Sequence, residues 1–253
     1  AAVIPFGGFW SDEGTWVSAF LVAELDVGVM WFLAIGGLMV FPLWMAGWAS
    51  NNKWTLLAGM RTVAQGISYE IPLVIGALIP VVATGSLNIA DIVAWQAEHG
   101  WLIWRLPVLG LLAFLLFFTA GLAEANRIPF DIPEAESELI AGVTVEYTGM
   151  KAGMFVLTEY VHTVVTSALA VALFFGGAHM PLMGPLGPWA EFLTPLWMIG
   201  KTAILFFVIY WIRWTWFRFR SDQLMHLAWV WLVPISLVLM MGTALMVWAG
   251  WMA

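Results

Sequence analysis

Cysteine is missing altogether from the 253 residues, which removes disulfides, thiolate nucleophiles and cysteine-held iron–sulfur or zinc centres from the chain's own chemistry. Charge is scarce too: 10% of residues are Asp, Glu, Lys or Arg, with nine cations against sixteen anions. A net charge of −7 excludes nucleic acid as a partner, because its binding needs a basic surface. No phosphate-binding loop, dinucleotide fingerprint or paired-histidine zinc motif occurs. The opening run Ala1-Ala-Val-Ile-Pro-Phe-Gly-Gly8 has no basic stretch and no cleavage site, so it is not a signal peptide. It reads as the tail of an earlier helix, with further chain expected upstream.

What the sequence has in abundance is hydrophobic length. At 62% hydrophobic it falls in the multi-span membrane class. Apolar runs long enough to cross about 30 Å at about 1.5 Å per residue recur, and such runs must be helices that satisfy their own backbone. Alternating strands of a membrane barrel are absent. The pattern predicts an all-α polytopic bundle, a single integral membrane domain over 1–253. Six full spans are expected near 28–47, 66–84, 102–123, 151–175, 194–213 and 226–250, preceded by the end of an earlier helix. Residues 6–27 read as a polar acidic connector, and 48–65 as a polar turn with a short helix.

With alternating spans, Lys53, Arg61, Arg127, Lys151, Arg213, Arg218 and Arg220 share one side and Arg105 lies on the other. The positive-inside rule makes the first side cytoplasmic. Trp101, Trp104, Trp211, Trp214, Trp216, Trp248 and Trp251 read as interfacial anchors.

Between spans three and four lies a long acidic loop, 124–150, expected on the cytoplasmic side. Glu124, Asp131, Glu134, Glu136, Glu138 and Glu146 face the single cation Arg127. On a helix Glu134 and Glu138 share a face; extended, all three of Glu134, Glu136 and Glu138 do. Crowded carboxylates cannot all ionise, so such a group titrates as a coupled set shifted toward neutrality. Ile128, Phe130, Ile132, Leu139 and Ile140 predict that the loop packs down rather than floating in water, and Pro129 and Pro133 stiffen it.

Three ionisable positions lie inside predicted spans: Glu70 early in the second, Glu159 with His162 one turn on in the fourth, and Lys201 in the fifth. A charge there must face protein or water, be neutral, or be paired, so the three form a candidate relay. Arg61 and Gln65 could extend its polar face. A haem held by two histidines is excluded, since His162 and His226 differ in depth by about 15 Å, and His99 and His179 sit in connectors.

The runs Gly47-Trp-Ala-Ser-Asn-Asn-Lys53, Ala64-Gln-Gly-Ile-Ser-Tyr-Glu70, Ala123-Glu-Ala-Asn-Arg-Ile-Pro-Phe-Asp-Ile-Pro-Glu-Ala-Glu-Ser-Glu-Leu139, Glu146-Tyr-Thr-Gly-Met150, Glu159-Tyr160 and Arg218-Phe-Arg-Ser-Asp-Gln-Leu-Met225 resemble the H-subunit family of bacterial NADH:quinone oxidoreductase, respiratory complex I. The resemblance implies a membrane subunit of a translocase, without independent catalysis, at the junction of the peripheral and proton-pumping arms. It implies a quinone chamber, for ubiquinone or menaquinone, to which Arg127, Phe130, Asp131, Glu134 and Glu136 belong. It implies a coupling path through Glu70, Glu124, Asp131, Glu134, Glu136, Glu138, Glu146 and Glu159, with Lys201 matching a family lysine. Flavin and iron–sulfur clusters would sit on partner subunits. Partners would include the peripheral-arm quinone-site subunits, small membrane-arm subunits and the lipid of the bacterial cytoplasmic (inner) membrane.

The family normally begins with another transmembrane helix, an amphipathic helix bordering the quinone entrance and a basic loop, which the resemblance does not cover. Ser221, Val230 and Thr148 stand where tyrosine, lysine and serine are usual. Three rival readings remain at this point, the first two being the equivalent subunit of a membrane-bound hydrogenase or other donor:quinone oxidoreductase, and a free-standing secondary transporter. The transporter reading predicts paired Gly/Pro-broken helices in related halves; the sequence shows none. A purely structural anchor is the third.

Overall fold

A computed structural model describes residues 2–10, 16–132, 142–179 and 190–251, and the described residues are mostly helical. The chain opens on a two-stranded antiparallel hairpin, β1 (Gly7–Trp10) and β2 (Trp16–Ala19). This corrects two expectations, an all-α chain and a helical start. Residues 2–4 form a turn and bend, and Val3 and Ile4 are buried in the core, so their apolar character serves packing rather than a span. Gly8 is required in β1, since a Cβ there would lie 2.5 Å from the Trp16 ring.

Helices α1 (Gly28–Leu38) and α2 (Val40–Ala49) make one apolar rod with a break at Met39. Pro42 causes the break: it has no N–H to offer the Leu38 carbonyl and its ring crowds that group. Asn51, at φ 51°, turns the chain, and the Asn52 side chain accepts from Trp54 N to start α3 (Lys53–Thr84). The short approach helix expected before residue 66 is continuous with the span, because nothing breaks it. At 32 residues α3 runs about 48 Å, well past the hydrocarbon thickness. It is the central rod, packed against α2 and against the later helices Leu109–Glu124 and Val233–Trp248.

Gly85, in the left-handed region at φ 76°, ends α3, and Asn88 caps α4 (Ile89–His99). The third expected span is broken into α5 (Leu102–Arg105) and α6 (Leu109–Glu124) at Pro107, with Val108 at φ 63°. α6 alone, at 16 residues or about 24 Å, is shorter than a full span. After a 3₁₀ turn at Gly142–Thr144 come α7 (Met150–Phe174) and α8 (Ala190–Thr215). The last rod is α9 (Ser221–His226), a π-helical stretch (Leu227–Leu232) and α10 (Val233–Trp248). Five rods among the described residues are therefore long and apolar enough to cross a membrane, with α6 a sixth, shorter apolar helix, where six full spans were expected.

The main core runs through α3, α4, α6 and the second half of α7, with Ile79, Phe117, Leu169 and Phe174 fully enclosed. A smaller core, Tyr69, Phe130, Ile209 and Leu224, closes the end of the bundle where α6 stops and α9 starts. Trp104, Trp211, Trp214, Trp216, Trp248 and Trp251 stand exposed as expected of anchors, whereas Trp101 turns inward.

Candidate functional site: carboxylates around an interhelical cavity

Glu124 is the last residue of α6, and the chain must leave the helix there without losing contact with the bundle. Asn126, at φ 50°, makes the turn, a conformation Asn tolerates. Arg127 N then donates back to Leu122 O at 3.3 Å. Gln65, buried on α3, donates through Nε2 to Ala123 O at 2.7 Å and Phe130 O at 2.8 Å, holding the start of the acidic loop to the central rod. Phe130 packs on Tyr69 and stacks with Phe219, and Phe219 N donates to Pro129 O at 3.0 Å. The expectation that this loop packs down holds as far as Ile132, which is buried. Glu134, Glu136 and Glu138 lie outside the described residues.

Three carboxylates from three helices converge here: Glu70 from α3, Glu124 from α6 and Glu159 from α7. Glycine makes room for two of them. A Cβ on Gly36 would lie 3.1 Å from Glu124 Oε1, and one on Gly37 would overlap the Glu70 carboxylate. Glu70 lies within electrostatic reach of Glu124. Glu124 and Glu159 line a cavity of about 150 Å³ with His162, between apolar walls that include Met39, Val40, Leu43 and Phe155. That volume is large enough for a short file of water molecules.

Two basic side chains face these carboxylates. His162 Nε2 lies 3.7 Å from Glu124 Oε2, and Arg127 Nη2 lies 3.5 Å from Glu159 Oε2. Both distances exceed the 2.7–2.9 Å or so of a charge-assisted hydrogen bond. Arg127 is buried and rests on the Tyr160 ring, its Cζ 4.5 Å from the centroid. Asp131 is bound more tightly, by Arg218 Nη2 at 2.9 Å. Nothing in the sequence pattern marked that pairing, which spans 87 residues. Gln65 was marked only as part of a polar face; its role in joining two segments depends on tertiary contacts that spacing does not carry.

Two of the expected site residues stand apart. Glu146 is exposed and accepts from Asn52 Nδ2 at 2.9 Å, beside an open groove with Tyr147 and Lys151. Lys201 is at the other end of the bundle. Its Nζ donates to the carbonyls of Phe175, Gly177 and His179, and Phe175 lies about 24 Å along α7 from Glu159. The structure thus brings Glu159 and His162 together with Glu124, beside Glu70, and does not bring Lys201 to them.

The family described as NADH dehydrogenase matches residues 1–244 of the chain. Similar curated proteins include the H subunit of NADH-quinone oxidoreductase from Protochlamydia amoebophila, 43% identical over 96% of this chain and 70% of that protein. Subunit 8 of the Thermus thermophilus enzyme is 42% identical over 97% of this chain and 63% of its own length. The H subunit from Geobacillus thermodenitrificans is 46% identical over 89% and 65%. The chain spans about two thirds of the length of these relatives. With Glu124 and Glu159 lining one cavity of an apolar bundle, and with this identity along almost its whole length, the chain belongs to the NADH dehydrogenase family, among proteins named as the H subunit of NADH-quinone oxidoreductase.

Proposed function

We propose that this chain is a membrane subunit of a proton-pumping NADH:quinone oxidoreductase, that it forms part of the quinone chamber, and that its carboxylates couple quinone reduction to proton translocation. One observation carries the reading: Glu124 and Glu159 line one cavity in an apolar bundle with His162, Arg127 lies 3.5 Å from Glu159, and Glu70 is within electrostatic reach of Glu124. A proton arriving at Glu124 or Glu159 changes the charge that faces His162 and Arg127 across this cavity. A charge change at the mouth of the cavity is then passed on as a rearrangement of proton occupancy.

Arg127, Phe130 and Asp131 supply the chamber wall at the start of the acidic loop, and Glu134 and Glu136 are assigned to the same chamber by the resemblance. Glu138 and Glu146 complete the proposed coupling set. The quinone, ubiquinone or menaquinone, is the substrate, with apolar side chains holding its tail and few polar contacts at its head. NADH, flavin and iron–sulfur chemistry belong to partner subunits of the peripheral arm. The positively charged span ends favour the cytoplasmic side of the bacterial inner membrane for this face. The relatives' names favour NADH over hydrogen as the donor.

The test is Glu70→Gln in the assembled complex, with blue-native gels to score assembly. Inhibitor-sensitive quinone reduction and proton uptake are expected to fall together. Retention of both in an intact complex would remove Glu70 from the coupling path.

A further inference from the structure

The cationic end of Lys201 has an unusual setting for a membrane helix. Its Nζ donates to Phe175 O at 2.7 Å, Gly177 O at 2.9 Å and His179 O at 2.9 Å. Three acceptors match the three N–H donors of an ammonium group. The Trp101 ring lies 4.5 Å from Nζ and the Trp197 ring 5.7 Å, presenting aromatic faces to the charge. Among the described residues no carboxylate is paired with it. The connector is shaped for the purpose: Gly176 and Gly177 both occupy the left-handed region, at φ 69° and 51°, and Gly176 packs so closely on Trp101 that a Cβ would come within 2.7 Å.

We propose that the Phe175, Gly177 and His179 carbonyls, walled by Trp101 and Trp197, are a monovalent-cation site whose resident cation is the Lys201 ammonium. Tethered to α8, that cation fixes the Phe175–His179 turn after α7, at the end of the bundle opposite the carboxylates. Carbonyl oxygens replacing a hydration shell are the means by which proteins hold desolvated monovalent cations. The spacing suits ammonium or potassium; lithium, with its shorter bonds, would not reach three carbonyls fixed this far apart. A divalent ion finds no anionic ligand here among the described residues. This inference is independent of the coupling role of Glu70, Glu124 and Glu159.

The test uses amide hydrogen exchange at Gly177 and His179 in the assembled complex in nanodiscs. Gly177 N donates to Val171 O at 3.1 Å and His179 N to Gly176 O at 2.9 Å, so both amides report on the Phe175–His179 turn. In the unmodified protein they are expected to be protected like the end of α7. In Lys201→Ala with choline as the only added cation, exchange is expected to rise about tenfold or more, and ammonium or potassium is expected to reverse most of the rise. Lys201→Met fills the space with an apolar chain, so its exchange stays fast in every salt. The proposal is overturned if the unmodified amides exchange like an open loop, if Lys201→Ala stays protected in choline, or if its exchange is equally fast in all salts. Should Lys201→Ala fail to assemble, assembly becomes the readout: recovery with ammonium or potassium supports the site, and no recovery overturns it.

Discussion

The two ends of this bundle handle buried polarity in opposite ways. At one end Glu124 and Glu159 face a cavity, with His162 Nε2 3.7 Å from Glu124 and Arg127 Nη2 3.5 Å from Glu159. At the other, Lys201 and Gln96 are saturated by the main chain. Gln96 donates to Ala172 O at 2.9 Å and Leu173 O at 3.2 Å, and accepts from Gly176 N at 3.0 Å and Leu102 N at 3.3 Å. A saturated group has nothing to gain by moving, because an unmade buried bond costs more than a made one returns. A carboxylate lining a cavity with room for water can exchange a proton with that water. The difference separates an end whose buried polar groups are bonded to the main chain from an end whose carboxylates face open space.

Four changes would break or sharpen that contrast. Gln96→Leu should act at the fixed end alone: it strands the Gly176 and Leu102 N–H groups and is expected to destabilise the connector by about 3 kcal/mol, read as lost exchange protection there. Glu159→Gln should do the reverse. Quinone reduction and proton uptake are expected to drop about tenfold or more, with protection at Gly177 and His179 unchanged. Gly37→Ala, by pushing a Cβ into the space of the Glu70 carboxylate, should lower the same activities severalfold without blocking assembly. The smallest effect concerns His179. Burial, and next the charge of Lys201, push its pKa below the ordinary 6.5. Its folded form therefore binds fewer protons than the unfolded chain, so its contribution is complete above that value and is lost as pH falls below it. Exchange at Gly177, corrected for intrinsic rates, should rise a few-fold between about pH 8 and about pH 5, and His179→Gln should flatten the profile.

Much of this architecture was readable in the residues. Long apolar runs placed four of the five rods to within about five residues at each end, and Glu70, Glu159 and His162 declared themselves by being ionisable inside such runs. The failures have physical causes. Pro107 breaks an apolar run whose length suggested an unbroken span, while Lys53 to Gln65 is polar enough to resemble a turn yet contains no breaker, so the helix continues through it. Val3 and Ile4 show that a short apolar run cannot distinguish a span's tail from a core plug. Lys201 was grouped with the carboxylates by depth from sequence, although its helix enters from the other end. Gln65 and Gln96 were the least visible: an uncharged amide carries no mark of the distant carbonyls it will meet.

The central claim is that the carboxylates at the cavity change protonation when quinone is reduced. Redox-triggered infrared difference spectroscopy of the assembled complex measures this most directly, comparing the unmodified protein with Glu124→Gln. The account predicts a protonated-carboxyl band that appears on quinone reduction and is lost or shifted in the variant. An identical band in both proteins, with quinone reduction intact, would contradict it.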